Sequence, residues 1–236
     1  MYDFKDGKGP VKAHKHPNGG GWVADTAKVA DTVYVFNNAK VYDNAKVYGD
    51  ASVYDNAKVS GNAWVSGNAW VSGNAWVFDD VVVYGNARVY GDAKVYDNAK
   101  VYGDASVYGD ASVFGHARVF DDVVVSGNAW VYDKAMVSDK ARVFNNAKVY
   151  GDASVSGDTR VFGDAEISKT PPRVTRTDGY DFVAVPCVDG EIRVIAGCRY
   201  FTFKEAKAHW KSTRGGTELG EETMGILKYL KSMSKF

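Results

Sequence analysis

Few residues in this chain belong to the types that most quickly assign a function. Only two of its 236 residues are cysteine (Cys187 and Cys198), four are histidine and five are proline. Two thiols cannot build a disulfide framework and fit a reducing compartment. No window holds 18 consecutive apolar residues, and the opening MYDFKDGKGP lacks the apolar core of a secretory signal. Neither a membrane span nor export is therefore expected. Charge of one sign is missing as well. Twenty-nine Lys and Arg offset 29 Asp and Glu, against the strong overall basicity that marks nucleic-acid binders.

Glycine (25) and tyrosine (15) are plentiful, and both recur at fixed intervals. Every sixth residue from Val23 to Val161 is valine, and Ile167 closes a series of 25 positions without insertion or deletion. Four residues after each comes a small residue, nearly always Ala, with Val33, Val81, Val123 and Thr159 as variants. Pairs such as Gly49-Asp50, Asp55-Asn56 and Gly61-Asn62 stand between them. A period of six fits neither an α-helix nor a hairpin meander. In an extended strand, Ala and the next Val are two apart and face the same way. Gly, Asp and Asn tolerate the left-handed backbone of a corner. Each hexad thus predicts a short strand and a turn.

The pattern Val-Tyr/Ser/Phe-Gly/Asp-Asn/Asp-Ala-x over residues 23–168 resembles the hexapeptide-repeat family. That resemblance implies a mainly β chain folded as a left-handed parallel β-helix, three hexads per coil. About eight coils stacked at strand spacing make a prism roughly 40 Å long. The Val and Ala columns would fill a narrow core, stability would accumulate coil by coil, and each end would need a cap. The chain then divides into an N-terminal cap (1–22), the β-helix (23–168) and a small α+β domain (169–236).

Residues on either side of each inward Val should face outward. The trailing column carries Tyr42, Ser60, Phe78, Tyr96, Phe114, Tyr132 and Tyr150 on one face, with Lys46, Trp64, Lys100 and Arg118 on the adjacent one. In the hexads from Val59, Val65, Val71 and Val125, a trailing Ser accompanies a following Trp, which suggests volume compensation. Stacked tyrosines read first as a ladder that stiffens each face. They read second as a surface covered by a partner or another copy of the chain. The family resemblance favours self-association as a homotrimer. Lys or Arg beside aromatic rings also suits sugars or single-stranded nucleic acid. The β-helix itself holds 13 basic against 19 acidic residues, a net −6, which argues against nucleic acid there.

Many hexapeptide-repeat proteins are acyltransferases whose site lies between subunits, built from a catalytic histidine and a loop leaving a coil. Here no loop leaves the repeat. Its one histidine, His116, stands where other hexads place Asn or Asp, and reads as a turn former. Zinc-dependent carbonic anhydrases of the same fold need three converging histidines. His14 and His16 read as part of a loop, and Asp50, Asp104, Asp110 and Asp152 as turn residues rather than cation ligands. No catalytic residue, metal or cofactor is expected.

After Ile167, Lys169-Thr-Pro-Pro172 reads as a linker. Tyr180–Val188 and Glu191–Ala196 predict strands joined by a two-residue turn at Asp189-Gly190. Thr202-Phe-Lys-Glu205 predicts a capping box opening a helix to about Ser212. Glu221–Lys235 predicts a second helix with Met224, Leu227, Leu230 and Met233 on one side. This domain has 12 basic against 8 acidic residues, a net +4. Its run AGCRYFTFKEAKAHW (196–210) resembles a short C-terminal module of phage and prophage proteins. Pro17–Ala27 likewise resembles phage-type hexapeptide-repeat proteins. A nucleophilic Cys198–His209 pair competes with a simpler reading, a buried small cysteine and a helix-end histidine.

Together these features suggest a non-enzymatic binding or scaffold protein, phage-encoded and cytoplasmic in a bacterial host. It would engage a host protein, for example to inhibit a defence system. The alternatives are an acyltransferase, a virion structural component and a trap for small nucleotide signals. Candidate partner-binding residues are Trp64, Trp70, Trp76, Tyr96, Tyr102 and Tyr108 on the β-helix, and Arg199, His209 and Trp210 beyond it.

Overall fold

A computed structural model of the chain describes residues 1–234. Strand β1 (Ala13–Lys15) is followed by 25 short strands, β2 (Trp22–Ala24) through β26 (Glu166–Ile167), one for each hexad. Each up to β23 pairs in parallel with the strand 18 residues on, Lys40 opposite Lys58 and Trp70 opposite Arg88. Three hexads therefore close one coil, and the strands fall into three flat sheets. The first face carries β2, β5, β8 and every third strand to β26; β3 to β24 form the second face and β4 to β25 the third. This is a parallel β-solenoid of about eight turns.

The reason lies in the hexad. Val, and Ala four residues later, point inward and are buried without interruption from Val33 to Ile167. From Val35 to Val161 the corner residue two after each Val adopts positive φ, as Asp43 (57°) and Gly61 (68°) do. Backbone groups then bond coil to coil: Lys40 N–H donates to Ala57 and Tyr42 N–H to Val59, both at 3.0 Å.

Both ends are closed. At the N-terminus β1 runs antiparallel to β2, Tyr2 stacks on Trp22 at 4.0 Å, and Phe4 is buried against Ala24 and Tyr42. Tyr42 was expected to face solvent; this cap buries it. At the other end stands a four-stranded antiparallel sheet of β27 (Arg173–Thr175), β28 (Asp181–Pro186), β29 (Ile192–Ala196) and β30 (Arg199–Thr202). Strand alternation gives it two jobs. Val183, Val185 and Ile195 join the core of the last coil, while Phe182, Ala184, Val194 and Ala196 face the helices.

Those helices are α1 (Phe203–Arg214), opened by the expected Thr202/Glu205 capping box, and α2 (Glu218–Met233). α2 begins one turn earlier than expected because Thr217 caps it by accepting from Gly220 N–H; Lys235 lies outside the described residues. Its buried side is Thr223, Ile226, Leu227 and Leu230, whereas Met233 is exposed. The hairpin loop also differs. Gly190 N–H donates to Cys187 O and Cys187 N–H to Glu191 O, and Gly190 has φ 77°. The loop is thus three residues with a left-handed glycine, a turn and bulge in place of a two-residue turn. Pro172 does not lie outside the pairing, since its carbonyl accepts from Ala184 N–H at 3.0 Å.

Candidate functional site

The 18-residue register stacks trailing aromatics ring on ring wherever successive coils both carry one. On the first face Phe78, Tyr96, Phe114, Tyr132 and Tyr150 form one column, with centroids 4.8–5.1 Å apart and planes within 6°. Tyr84–Tyr102–Phe120 on the second face and Tyr90–Tyr108 on the third repeat this spacing. It is the strand spacing imposed on side chains. Burial between neighbouring rings pushes the Tyr90, Tyr96, Tyr102 and Tyr132 hydroxyls above the usual phenol range.

The candidate residues do not gather in one place. Trp64, Trp70 and Trp76 lie on strands of the second, third and first faces respectively, and so girdle one coil. Tyr96, Tyr102 and Tyr108 follow strands of the first, second and third faces and girdle another. Exposure separates them: Trp64 is 47% and Trp70 45% accessible, whereas Trp76 is half-buried. Trp130, on the first face, is as open as Trp64.

Each of these indoles leans toward the trailing residue 16 positions earlier. Trp64 meets Tyr48 edge-on, Trp70 lies over Tyr54 at 5.2 Å and Trp130 meets Phe114. For Trp76 that residue is Ser60, and the indole covers it: Trp76 Nε1 donates to Ser60 Oγ at 3.2 Å, leaving Ser60 buried. In this one pair Ser and Trp compensate across coils rather than within a hexad. Ser66, Ser72 and Ser126 have Val82, Arg88 and Arg142 at the covering position.

The corners hold a second ladder. Asn38 donates to Asn56, Asn56 to Asn74 and Asn74 to Asp92, at 2.9–3.3 Å. A carboxylate can accept but not donate, so this run ends at Asp92; Asn68–Asn86–Asp104 ends the same way. Left-handed aspartates bond the next coil too, Asp43 and Asp55 accepting from Gly61 and Gly73 N–H at 3.2 Å. His116 is exposed in such a column, with its backbone N–H donating to Asp133 O. His14 pairs with Asp25 at 3.0 Å, while His16 is buried beside Asn18. His14 lies on β1 and His16 just beyond its end, and no group of three or more His, Cys, Asp and Glu suited to a metal occurs among the described residues.

In the C-terminal domain, Trp210 is only 3% accessible and packs against Phe182 and Phe201. It belongs to the domain core rather than to a binding surface. His209 is half-buried against the Phe201 ring, in the middle of α1 and not at its end. Cys198, expected to be buried, is exposed at the turn before β30, where Arg199 is half-exposed. The buried thiol is Cys187, 2.8 Å from Tyr200 Oη. That burial pushes the Tyr200 hydroxyl well up. Arg176, which the sequence did not single out, is buried between the Tyr180 and Phe182 rings. It donates twice to Asp178 and once to Thr223.

Four residues, of which hexad-by-hexad reading named only Trp70 as a binding candidate, form a recess on the third face. Trp70, Ser72, Arg88 and Tyr90 line a cavity of about 200 Å³. Writing the sequence at period 18 rather than six sets these residues side by side.

The YdcK beta solenoid repeat matches this chain over residues 57–73 and 83–97. Both stretches lie in the middle of the prism, and the first holds Trp64 and Trp70. The curated proteins include no match to the chain. The chain is thus similar to the YdcK β-solenoid repeat within a helix that extends well beyond the matched residues.

Proposed function

We propose that this chain is a non-enzymatic binding scaffold, phage-encoded, that presents aromatic side chains to a host protein. The observation that carries the reading is the display of Trp64, Trp70 and Trp130 on rigid ladders, each close to half accessible. Exposed aromatics that already rest on a neighbouring ring lose less freedom on binding than free ones, and such residues dominate protein interfaces. The phage-type resemblance of residues 17–27 and 196–210 directs the choice of partner to a bacterial host, where a defence component is the target of interest.

The test is capture from bacterial lysate on the immobilised full chain, with variants Trp64→Ser, Trp70→Ser and Trp130→Ser alongside. Serine occurs naturally in the strand position that tryptophan holds here, as in Ser52 and Ser106. The variants should keep the far-ultraviolet spectrum of the parent. A specific partner retained by the parent and weakened about 30-fold by one variant, near 2 kcal/mol for an aromatic anchor, supports the reading. Capture indifferent to all three variants would sink it.

A further inference from the structure

The first face shows how this fold fills a gap in a ring column. There Ser60 interrupts the aromatics, and Trp76, 16 residues on, lays its indole over the gap. Its Nε1 donates to Ser60 Oγ at 3.2 Å, its ring packs on Phe78 at 4.5 Å, and Lys58 Nζ stands 5.3 Å from the ring. The third face has the same interruption at Ser72, between Tyr54 and Tyr90. Here the residue 16 positions on is Arg88, which cannot supply an aromatic ring. The result is the recess walled by Trp70 and Tyr90, with Ser72 and Arg88 completing its lining. Trp70 already rests on Tyr54, so the recess takes one further ring beside the Trp70–Tyr54 pair. Arg88 is exposed and makes no ion pair among the described residues.

We infer that the Ser72 recess is a receptor for the indole of a partner protein's tryptophan flanked by a carboxylate. The indole N–H donates to Ser72 Oγ as Trp76 does to Ser60, its ring stacks between Trp70 and Tyr90, and the carboxylate pairs with Arg88. Ring recognition follows from the stacking interval of this column, where neighbouring pairs sit at 4.7 and 4.8 Å. The anionic neighbour follows from the unpaired guanidinium, which favours bidentate carboxylates. This deepens the binding reading and rests on it for the source of the tryptophan.

N-acetyltryptophan and its neutral amide serve as probes, titrated into the full chain and followed by ligand-observed magnetic resonance. The acid should bind saturably, with Kd of order millimolar for so small a ligand, and several-fold more tightly than the amide. Two variants close the recess by different routes. Ser72→Tyr restores the column residue found at Tyr54 and Tyr90, and Arg88→Trp copies the Trp76–Ser60 pair. Each should abolish binding, whereas Ser66→Tyr on the second face should leave it intact. Arg88→Ala should remove the preference for the acid. Non-saturable binding, binding that survives both closing variants, or tighter binding of adenosine monophosphate than of N-acetyltryptophan would overturn the inference. The two readings fail separately. Loss of probe binding with Trp64- or Trp130-dependent capture retained removes only the recess, while probe binding without any captured partner removes only the scaffold.

Discussion

At the scale of single residues, the prism permits little choice at its inward and corner positions. Val95 lies between Val77 and Val113 on the first face with no accessible surface. Val95→Asp brings a carboxylate into a core that offers it no partner, and should cost about 4 kcal/mol or more. Chemical unfolding of this variant should show its neighbouring coils already lost, and an unchanged midpoint would mean that the column does not point inward. Corners are equally strict for a different reason. Gly61 holds φ 68°, and a Cβ there would lie 2.6 Å from Asp79 N of the next coil. Gly61→Ala should therefore lower stability by about 2 kcal/mol, the left-handed penalty plus a steric one, read as a shifted denaturation midpoint. The inward column was legible at once because period six is a backbone property. The outward pairs were not, because Ser60 and Trp76 meet only when residues 16 apart are compared.

Among elements, the C-terminal domain departs most from sequence-based expectation. Its capping box and first helix were readable from Thr202 and Glu205, a local signal. β27 and β30 were not, since their pairing depends on β28 and β29 being in place. Arg176, just after β27, reaches α2 through Thr223, a link between residues 47 apart that no local pattern announces. Arg176→Ala should destabilise the domain by about 2–3 kcal/mol, because Thr223 and two rings lose their buried partner. The Arg176 guanidinium also holds the Asp178 carboxyl below the ordinary aspartate range. A group so lowered contributes stability above its unfolded-state value and loses it as pH falls through its folded value. The domain should thus weaken as pH drops below about 4. Asp178→Asn should flatten that part of the acid profile, and a profile unchanged by the substitution would contradict the assignment.

For the whole molecule, each coil touches chiefly its neighbours, so disturbance should spread by stacking distance rather than along the chain as a unit. Val183, Val185 and Ile195 cover the final coil, and a chain ending at Thr170 lacks them. Hydrogen exchange in that shortened chain should accelerate first in strands 142–167 and scarcely change in strands 52–83; uniform acceleration would show a single cooperative block. Light scattering on both lengths checks the homotrimer suggested by family resemblance. A trimer in both would set subunit contacts on the flat faces, and a trimer only in the full chain would set them in the C-terminal domain. The unbroken hexad register has one further meaning. Since all three faces bury the same Val and Ala, the core does not distinguish one hexad from the next. Removing 18 residues would shorten the prism by one layer, close to 4.8 Å, and leave its ends in their original orientation. Removing six would keep the core intact while turning the C-terminal domain by one face, a third of a revolution, against the N-terminal cap. Counting in eighteens thus sets the separation of the two ends and counting in sixes their angle, so this architecture can be re-aimed without being redesigned.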